Sequence, residues 1–162
     1  MLHPSQQRKV RIYSKSSALT AEATQYPKDT INVVLQTTLS LDVAPVNKNS
    51  HQSDNDFDWS EKISLQLSPT ELPILVGLLL GYLPKCEFKR PTKGIYIERQ
   101  VGNIYLKASS GSAKQYQMPI PIGHTFQLSA IAISQLQQQC QLNGDLLIAA
   151  VRGACSLYSQ NR

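Results

Sequence analysis

The stretch that decides the fold runs from residue 57 to residue 89 and reads FDWSEKISLQLSPTELPILVGLLLGYLPKCEFK. Within it, residues 63–67 alternate between apolar and polar side chains, which is the period of a β-strand. Residues 68–71 then read Ser-Pro-Thr-Glu, the form of a capping box with proline at the first helical position. Apolar residues recur at helical spacing over 72–83, and alternation resumes over 85–89. The stretch therefore predicts a strand, a helix and a second strand in that order.

The same order extends in both directions from this joint. Further strands are predicted at Val10–Tyr13, Ala18–Thr24, Ile31–Leu41, Gly94–Gln100, Ile104–Ala108 and Tyr116–Ile120, and a second helix at Thr125–Gln141. The pattern of four strands and a helix therefore occurs twice. It predicts an α+β fold of two antiparallel four-stranded sheets, each followed by a helix.

The chain length and the polar segments predict how the domain is bounded. At 162 residues the chain is long enough for one domain with a substantial core. We expect an N-terminal tail over 1–9, a single domain over 10–142 and a C-terminal extension over 143–162. The extension has an apolar stretch over 146–158 that favours a short third helix, and polar residues 47–56 favour a flexible loop.

Composition excludes several classes of protein. A hydrophobic content of 41% excludes a wholly disordered chain. No apolar run approaches the roughly 20 residues of a membrane span, and no secretory leader is apparent. The cysteines are three in number and lack metal-type spacing, which favours reduced thiols in a cytoplasmic protein.

Motifs typical of catalysis are not found in the sequence. There is no glycine-rich phosphate loop, no HExxH, no nucleophile elbow and no Cys/His cluster. His3, His51 and His124 are far apart. The prediction is therefore a protein that is not an enzyme, with no cofactor, no metal site and no small-molecule substrate.

Positive charge is concentrated in two segments. The net charge is +5, and residues 8–15 contain four basic side chains without an acid. Residues 85–114 contain seven basic side chains against Glu87 and Glu98, whereas six of the eleven acids lie between Asp42 and Glu71. Solvated strand faces would account for part of this pattern. Clustering on consecutive strands favours a polyanionic partner.

Alternation places rings and cations together on the outward faces of the predicted strands. Arg11 and Tyr13 share one face of the first strand, and Tyr105 and Lys107 share one face of the seventh. Proteins that bind single strands combine a positive track for phosphates with exposed rings for bases. The candidate nucleic-acid-binding residues are Arg11, Tyr13, Lys15, Trp59, Lys62, Lys93, Tyr96, Tyr105 and Lys107.

The predicted second helix has no formal charge. From Gln115 to Gly144 the chain contains no Lys, Arg, Asp or Glu. A helix exposed to water usually carries charges, so a second subunit is expected to cover this one, although a glutamine-rich surface helix is the alternative. The candidate interface residues are Phe126, Ala130, Ile131, Ile133 and Leu136.

Several short motifs, in order over roughly residues 10–140, resemble the Whirly family of single-stranded DNA-binding proteins. Residues 12–20, IYSKSSALT, resemble the first hairpin of that family, and residues 57–62, FDWSEK, resemble its Tyr-Asp-Trp-Ser-x-Lys segment. Residues 67–71 resemble the entry to its first helix, residues 86–88 the strand that follows that helix, and residues 119–121 its last strand. Ser14 and Ser16 stand where the plant members have lysines, and Lys15 stands on their glycine.

The resemblance implies binding of single-stranded DNA by a homotetramer with helices at its centre. Strand-like sequence begins by Val10, so no organellar presequence is expected, which favours a bacterial cytoplasmic protein, from a plasmid or other mobile element. Two alternatives remain open. The first is an RNA-binding relative with the same fold. The second is a structural subunit of a mobile-element assembly whose sheet faces bind protein.

Overall fold

A computed structural model describes residues 8–26, 36–48, 56–111 and 113–160. Eight strands are described: β1 (Lys9–Tyr13), β2 (Ser17–Tyr26), β3 (Gln36–Pro45), β4 (Ile63–Gln66), β5 (Lys85–Lys89), β6 (Lys93–Gln100), β7 (Asn103–Ser110) and β8 (Lys114–Pro121). The helices are α1 (Leu72–Leu79), α2 (Ile122–Cys140), α3 (Gly144–Gln160) and a short 3-10 helix (Trp59–Glu61). The start of the predicted third strand, 31–35, lies outside the described residues, as do most of the predicted tail and loop.

The strands form two antiparallel meanders, in the orders β1-β2-β3-β4 and β5-β6-β7-β8. The α+β fold predicted from the sequence, with a helix after each sheet, is confirmed. In both sheets apolar residues alternate with polar ones because one face packs on the core, as in the buried–exposed alternation of β1 and β5. Neighbouring strands therefore present their outward side chains together.

Helix α1 lies in the centre of the core. All of its residues except Pro73 are buried, as expected for a helix that is apolar on every side. It packs against both α2 and α3. Gly77 permits the close approach of α3, because a Cβ at that position would overlap the Sγ of Cys155. Cys86 and Cys155 are both buried and free, and burial together with neighbouring Cys155 raises the pKa of the Cys86 thiol to about 12.

The entry to α1 differs from the predicted capping box. The helix begins at Leu72 with Glu71 as its N-cap, so Pro73 rather than Pro69 lies in its first turn. The Glu71 carboxylate accepts a bond of 2.9 Å from the Ser68 backbone N–H, which is one half of a capping box. The Ser68 hydroxyl instead pairs with the Thr70 hydroxyl. The reciprocal cap is not formed, because the Glu71 backbone N–H donates to the Ser68 carbonyl at 3.0 Å. The Glu71 carboxylate also has a second partner.

That second partner is Arg90, which joins the two halves of the protein. Its guanidinium donates to both carboxylate oxygens of Glu71, at 3.0 and 2.7 Å, and to the Gln66 carbonyl at 2.7 Å. Burial by itself raises the pKa of the Glu71 carboxyl, but the hydrogen bonds from Arg90 and Ser68 outweigh it and hold the pKa below its ordinary value. The end of the first sheet, the start of α1 and the end of β5 are thereby fixed together.

Helix α2 starts three residues earlier than the sequence predicts, at Ile122 directly after Pro121. It ends at Cys140 and is capped by Gln141, which adopts a left-handed conformation with φ of 59° and donates its N–H to the Gln137 carbonyl. Among the described residues, no helix is both long and apolar enough to cross a membrane.

Candidate nucleic-acid interface

Three rings and a guanidinium lie together on the outward side of the first sheet. The ring of Tyr13 stacks on that of Phe57, with centroids 5.5 Å apart and planes inclined by 26°. The guanidinium carbon of Arg11 lies 5.2 Å from the centroid of the Trp59 ring. Arg11, Tyr13, Phe57 and Trp59 form what we call the first aromatic face. Tyr13 is 50% exposed and Trp59 is half-buried, so ring surface remains open to a ligand.

The segment that carries Phe57 and Trp59 is held against the outer side of the first sheet. Phe57 forms a β-bridge with Val46 and is only 7% exposed, against Ala18 and Ala44 on the outer side of the sheet. The Asp58 carboxylate accepts from the Ser60 N–H at 3.1 Å and caps the short 3-10 helix. This small cluster is separate from the main core. It holds the rings in place without contributions from the interior.

Two predicted cations border the first aromatic face in different ways. Lys62 is exposed, but its ammonium lies 3.0 Å from the Asp42 carboxylate, so its charge is partly matched within the sheet. Lys15 is exposed in the β1–β2 turn, which is closed by the Ser14 hydroxyl donating to the Ser17 carbonyl at 2.8 Å.

The second sheet has a corresponding arrangement on its outward side. Tyr96 of β6 pairs directly with Lys107 of β7, and the ammonium of Lys107 lies 5.7 Å from the centroid of the Tyr96 ring. The rings of Tyr96 and Tyr105 approach edge to face, with centroids 6.5 Å apart. We call Tyr96, Tyr105 and Lys107 the second aromatic face. All three side chains are half-buried, and they share one face as the sequence predicts.

Lys93 does not belong to the second aromatic face. It is the first residue of β6 and pairs with Ser110, so it starts on the side of the strand that carries Ile95 and Ile97, opposite to Tyr96. The structure therefore places this predicted site residue at the end of the sheet, beside the β5–β6 turn.

Contacts between β8 and the first sheet fix the two faces relative to each other. The hydroxyl of Tyr116 donates to the Glu61 carbonyl at 2.8 Å, and Lys114 forms an ion pair with the Glu61 carboxylate. The hydroxyl of Ser16 donates to the Gln117 carbonyl at 2.8 Å. The tip of the first hairpin and the 3-10 helix therefore lie against the edge of the second sheet.

The predicted interface residues of α2 do not share one face. Ile131 and Leu136 are 3% and 2% exposed because they pack into the core of their own subunit, so their assignment to an interface is wrong. Phe126 is 77% exposed, Ala130 is exposed and Ile133 is half-buried. Ile122, which the sequence analysis did not include, is 67% exposed and lies one turn before Phe126. We call Ile122, Phe126, Ala130 and Ile133 the α2 stripe.

Comparison with known proteins finds similar folds among solved structures but no match by sequence. No protein-family model and no curated protein matches the chain by sequence. Among solved structures, the plant transcriptional regulator PBF-2 matches 96% of this chain and 98% of its own, with a TM-score of 0.59 and 18% identity. PBF-2 is a Whirly protein. The fold is Whirly-like.

Two further solved structures are similar. Trypanosomal MRP1/MRP2 matches 80% of this chain and 82% of its own, with a TM-score of 0.52 and 12% identity. A guide-RNA-binding protein complex bound to a guide RNA matches 71% of this chain and 89% of its own, with a TM-score of 0.49 and 12% identity. In the Whirly-like fold of the present chain, both aromatic faces lie on the outward sides of the sheets.

Sequence reasoning missed two members of the interface. Phe57 belongs to the FDWSEK motif but is not among the candidate binding residues, although it stacks on Tyr13 and packs beside Trp59. Asp42, which pairs with Lys62, was counted only among the acids. The spacing of Phe57 and Trp59 around a capping aspartate was a usable signal. The Asp42–Lys62 pair depends on the register of β3 with β4, which no local pattern specifies.

Proposed function

We propose that this protein binds single-stranded DNA with little regard to sequence, along the two aromatic faces, and that it does so as a homotetramer without catalytic activity. The observation that supports this most strongly is that each sheet presents exposed ring surface directly beside a cation. Arg11 lies over Trp59 in the first aromatic face, and Lys107 lies over Tyr96 in the second. Motifs resembling the Whirly single-stranded DNA-binding proteins support the same function.

In this proposal the rings bind bases and the cations bind phosphates. Stacking on an aromatic side chain is worth about 1–3 kcal/mol per base and tolerates any sequence, because every base has a π-face. Tyr13 and Trp59 would stack bases on the first sheet, and Tyr96 and Tyr105 would do so on the second. Arg11, Lys15 and Lys107 would neutralise the phosphates between them.

The helices support the tetramer. Ile122 and Phe126 of the α2 stripe are 67% and 77% exposed, and Leu146 and Leu157 of α3 are similarly exposed. Exposed large apolar residues on two consecutive helices, one of which has no Lys, Arg, Asp or Glu, favour contact with further copies of the chain. The outward faces of the sheets would then remain free to bind the DNA strand.

The salt dependence of binding distinguishes the proposed function from the alternative that the sheet faces bind a protein. Binding of a labelled oligothymidine should weaken linearly in a plot of log K against log salt, with a slope near −0.7 per neutralised phosphate for a single strand. Residual affinity at high salt would come from stacking. Failure to bind oligothymidine at low salt would contradict the proposal and favour a sheet surface that binds protein.

A further inference from the structure

A basic hollow of about 300 Å³ opens on the outward side of the second sheet, next to Tyr96. Gly94 of β6 and Ser109 of β7, which pair directly, lie at its base. Lys89 and Lys93 lie at its rim. The volume is at the lower end of the roughly 300–1,000 Å³ that ligand pockets occupy. Its lining is mainly polar, which suits a charged group.

Residue 94, which lines the hollow, has no side chain. A Cβ at this position would lie 3.2 Å from the Phe88 carbonyl oxygen, which is closer than most contacts that Cβ atoms make in proteins. Its walls are fixed by turns. The Arg90 N–H donates to the Lys93 carbonyl at 2.7 Å, and the Gly111 N–H donates to the Thr92 carbonyl at 2.8 Å.

The charges around the hollow leave an excess of positive charge. Lys89, Arg90 and Lys93 line it together with one carboxylate, that of Glu87. Arg90 is held by Glu71, and the ammonium of Lys89 lies 3.6 Å from the Glu87 carboxylate. Among the described residues Lys93 forms no ion pair, so its charge is available to a ligand. The preferred ligand is therefore an anion.

The hollow continues the second aromatic face. Gly94 and Ser109 are two residues from Tyr96 and Lys107 on their respective strands, so all four positions face outward. Two residues of strand span about 6.7 Å. A phosphate in the hollow would therefore lie close to a base stacked on Tyr96.

We propose that the basic hollow is a phosphate subsite for one nucleotide of the bound strand, and that Lys93 and the Ser109 hydroxyl are its ligands. This inference rests on the proposed function. It gives Lys93 a role that its position outside the second aromatic face does not provide.

Two substitutions at one residue test the subsite. Ser109→Leu fills the hollow, and we expect oligothymidine to bind about tenfold more weakly, as for the loss of one charged hydrogen-bonded contact. Ser109→Ala keeps the space open and should lose less affinity than Ser109→Leu. Thermal unfolding of both variants verifies that the fold is intact. Binding by a folded Ser109→Leu variant within twofold of the wild type would overturn the proposal.

The salt dependence of lysine variants provides an independent test of the subsite. Lys93→Ala should reduce the steepness of the salt dependence by the contribution of about one phosphate, whereas Lys48→Ala, an exposed lysine away from the hollow, should leave it unchanged. Equal effects of the two substitutions would show that only general charge matters and would overturn the subsite.

The choice of oligothymidine shows whether the bound phosphate is an internal phosphodiester or the 5′ end of the strand. Oligothymidines with a 5′-phosphate and with a 5′-hydroxyl are compared on the wild type and on Ser109→Leu. Equal losses assign the hollow to an internal phosphodiester, and a loss confined to the 5′-phosphorylated probe assigns it to the strand end; either result supports a phosphate subsite. If the wild type binds neither probe, the proposed function itself fails. If it binds both and no substitution matters, only the subsite fails.

Discussion

At the scale of single residues, two cations of the candidate interface lie against aromatic rings. Arg11 over Trp59 and Lys107 over Tyr96 are arrangements worth about 0.5–1 kcal/mol at exposed sites. Alternation along the strands was enough to predict that Tyr105 and Lys107 face the same way. It could not predict that Ile131 and Leu136 are buried in their own subunit, because that depends on which side of α2 meets the sheet.

Replacing Lys107 and Tyr105 separately should divide binding into two parts. Lys107→Ala should lower affinity and flatten the salt dependence, because one phosphate contact and its counterion release are lost. Tyr105→Ala should lower affinity by about 1–3 kcal/mol and leave the salt slope nearly unchanged. Oligothymidine titrations at several salt concentrations measure both. Unchanged affinity in both folded variants would mean that the second sheet is not the binding surface.

Glu71 should make stability depend on pH. Its carboxyl has a folded-state pKa below the ordinary value of 4.5, so its stabilisation is complete above about pH 4.5 and is lost as pH falls through the lower folded-state pKa. Glu71→Gln should therefore lower the free energy of unfolding by about 1–3 kcal/mol at neutral pH. The difference from the wild type should shrink in acid. Denaturant unfolding at pH 7 and pH 3 checks this, and an equal difference at both values would exclude the Arg90 pair as its cause.

At the scale of elements, the sequence was most informative where the period was strong. The change from strand period to helix period over 63–83 predicted β4 and α1. The signal was strong because α1, which is buried on almost every side, is built almost entirely from apolar residues. The start of α2 was misplaced because Pro121 can end a strand and precede a helix equally well. The approach of α3 to α1 depends on Gly77, whose role appears only in three dimensions.

Gly77→Ala should destabilise the protein although alanine is the better helix former. The added methyl group would overlap the Sγ of Cys155, and overpacking of this kind typically costs about 1–3 kcal/mol. In a Cys155→Ala background the overlap is removed, so Gly77→Ala should become neutral or stabilising by up to about 1 kcal/mol. A double-mutant cycle by chemical unfolding measures this coupling. Additive effects would place the contact between α1 and α3 elsewhere.

At the scale of the whole molecule, two surfaces differ in their chemistry. The sheets present rings and cations outward, whereas α2 and α3 present exposed apolar side chains. In the proposed function, the sheets bind the DNA strand and the helices bind further copies of the chain. The interface residues predicted from the sequence include Phe126, Ala130 and Ile133 of the α2 stripe, but not the exposed Ile122.

Phe126→Glu should disrupt the assembly, because a buried charge without a partner is costly. Phe126 is 77% exposed in the isolated subunit, so the substitution should leave its own fold intact. Gln138→Glu is the matched control, an exposed glutamine about 120° away around the same helix. Multi-angle light scattering should report a tetramer for the wild type and the control and a smaller species for Phe126→Glu. A monomeric wild type across the micromolar range, or an unchanged mass for Phe126→Glu, would contradict this interface.

The central claim is that the sheet faces bind a single strand of DNA. Its most direct measurement is competition for a labelled oligothymidine by unlabelled single-stranded DNA of mixed sequence, by duplex DNA and by RNA of the same length. Single-stranded DNA should compete best whatever its sequence, and duplex should compete weakly, since stacked and paired bases cannot reach the rings. Stronger competition by RNA would instead assign the faces to RNA. Competition by duplex equal to or stronger than that by the single strand would contradict the account.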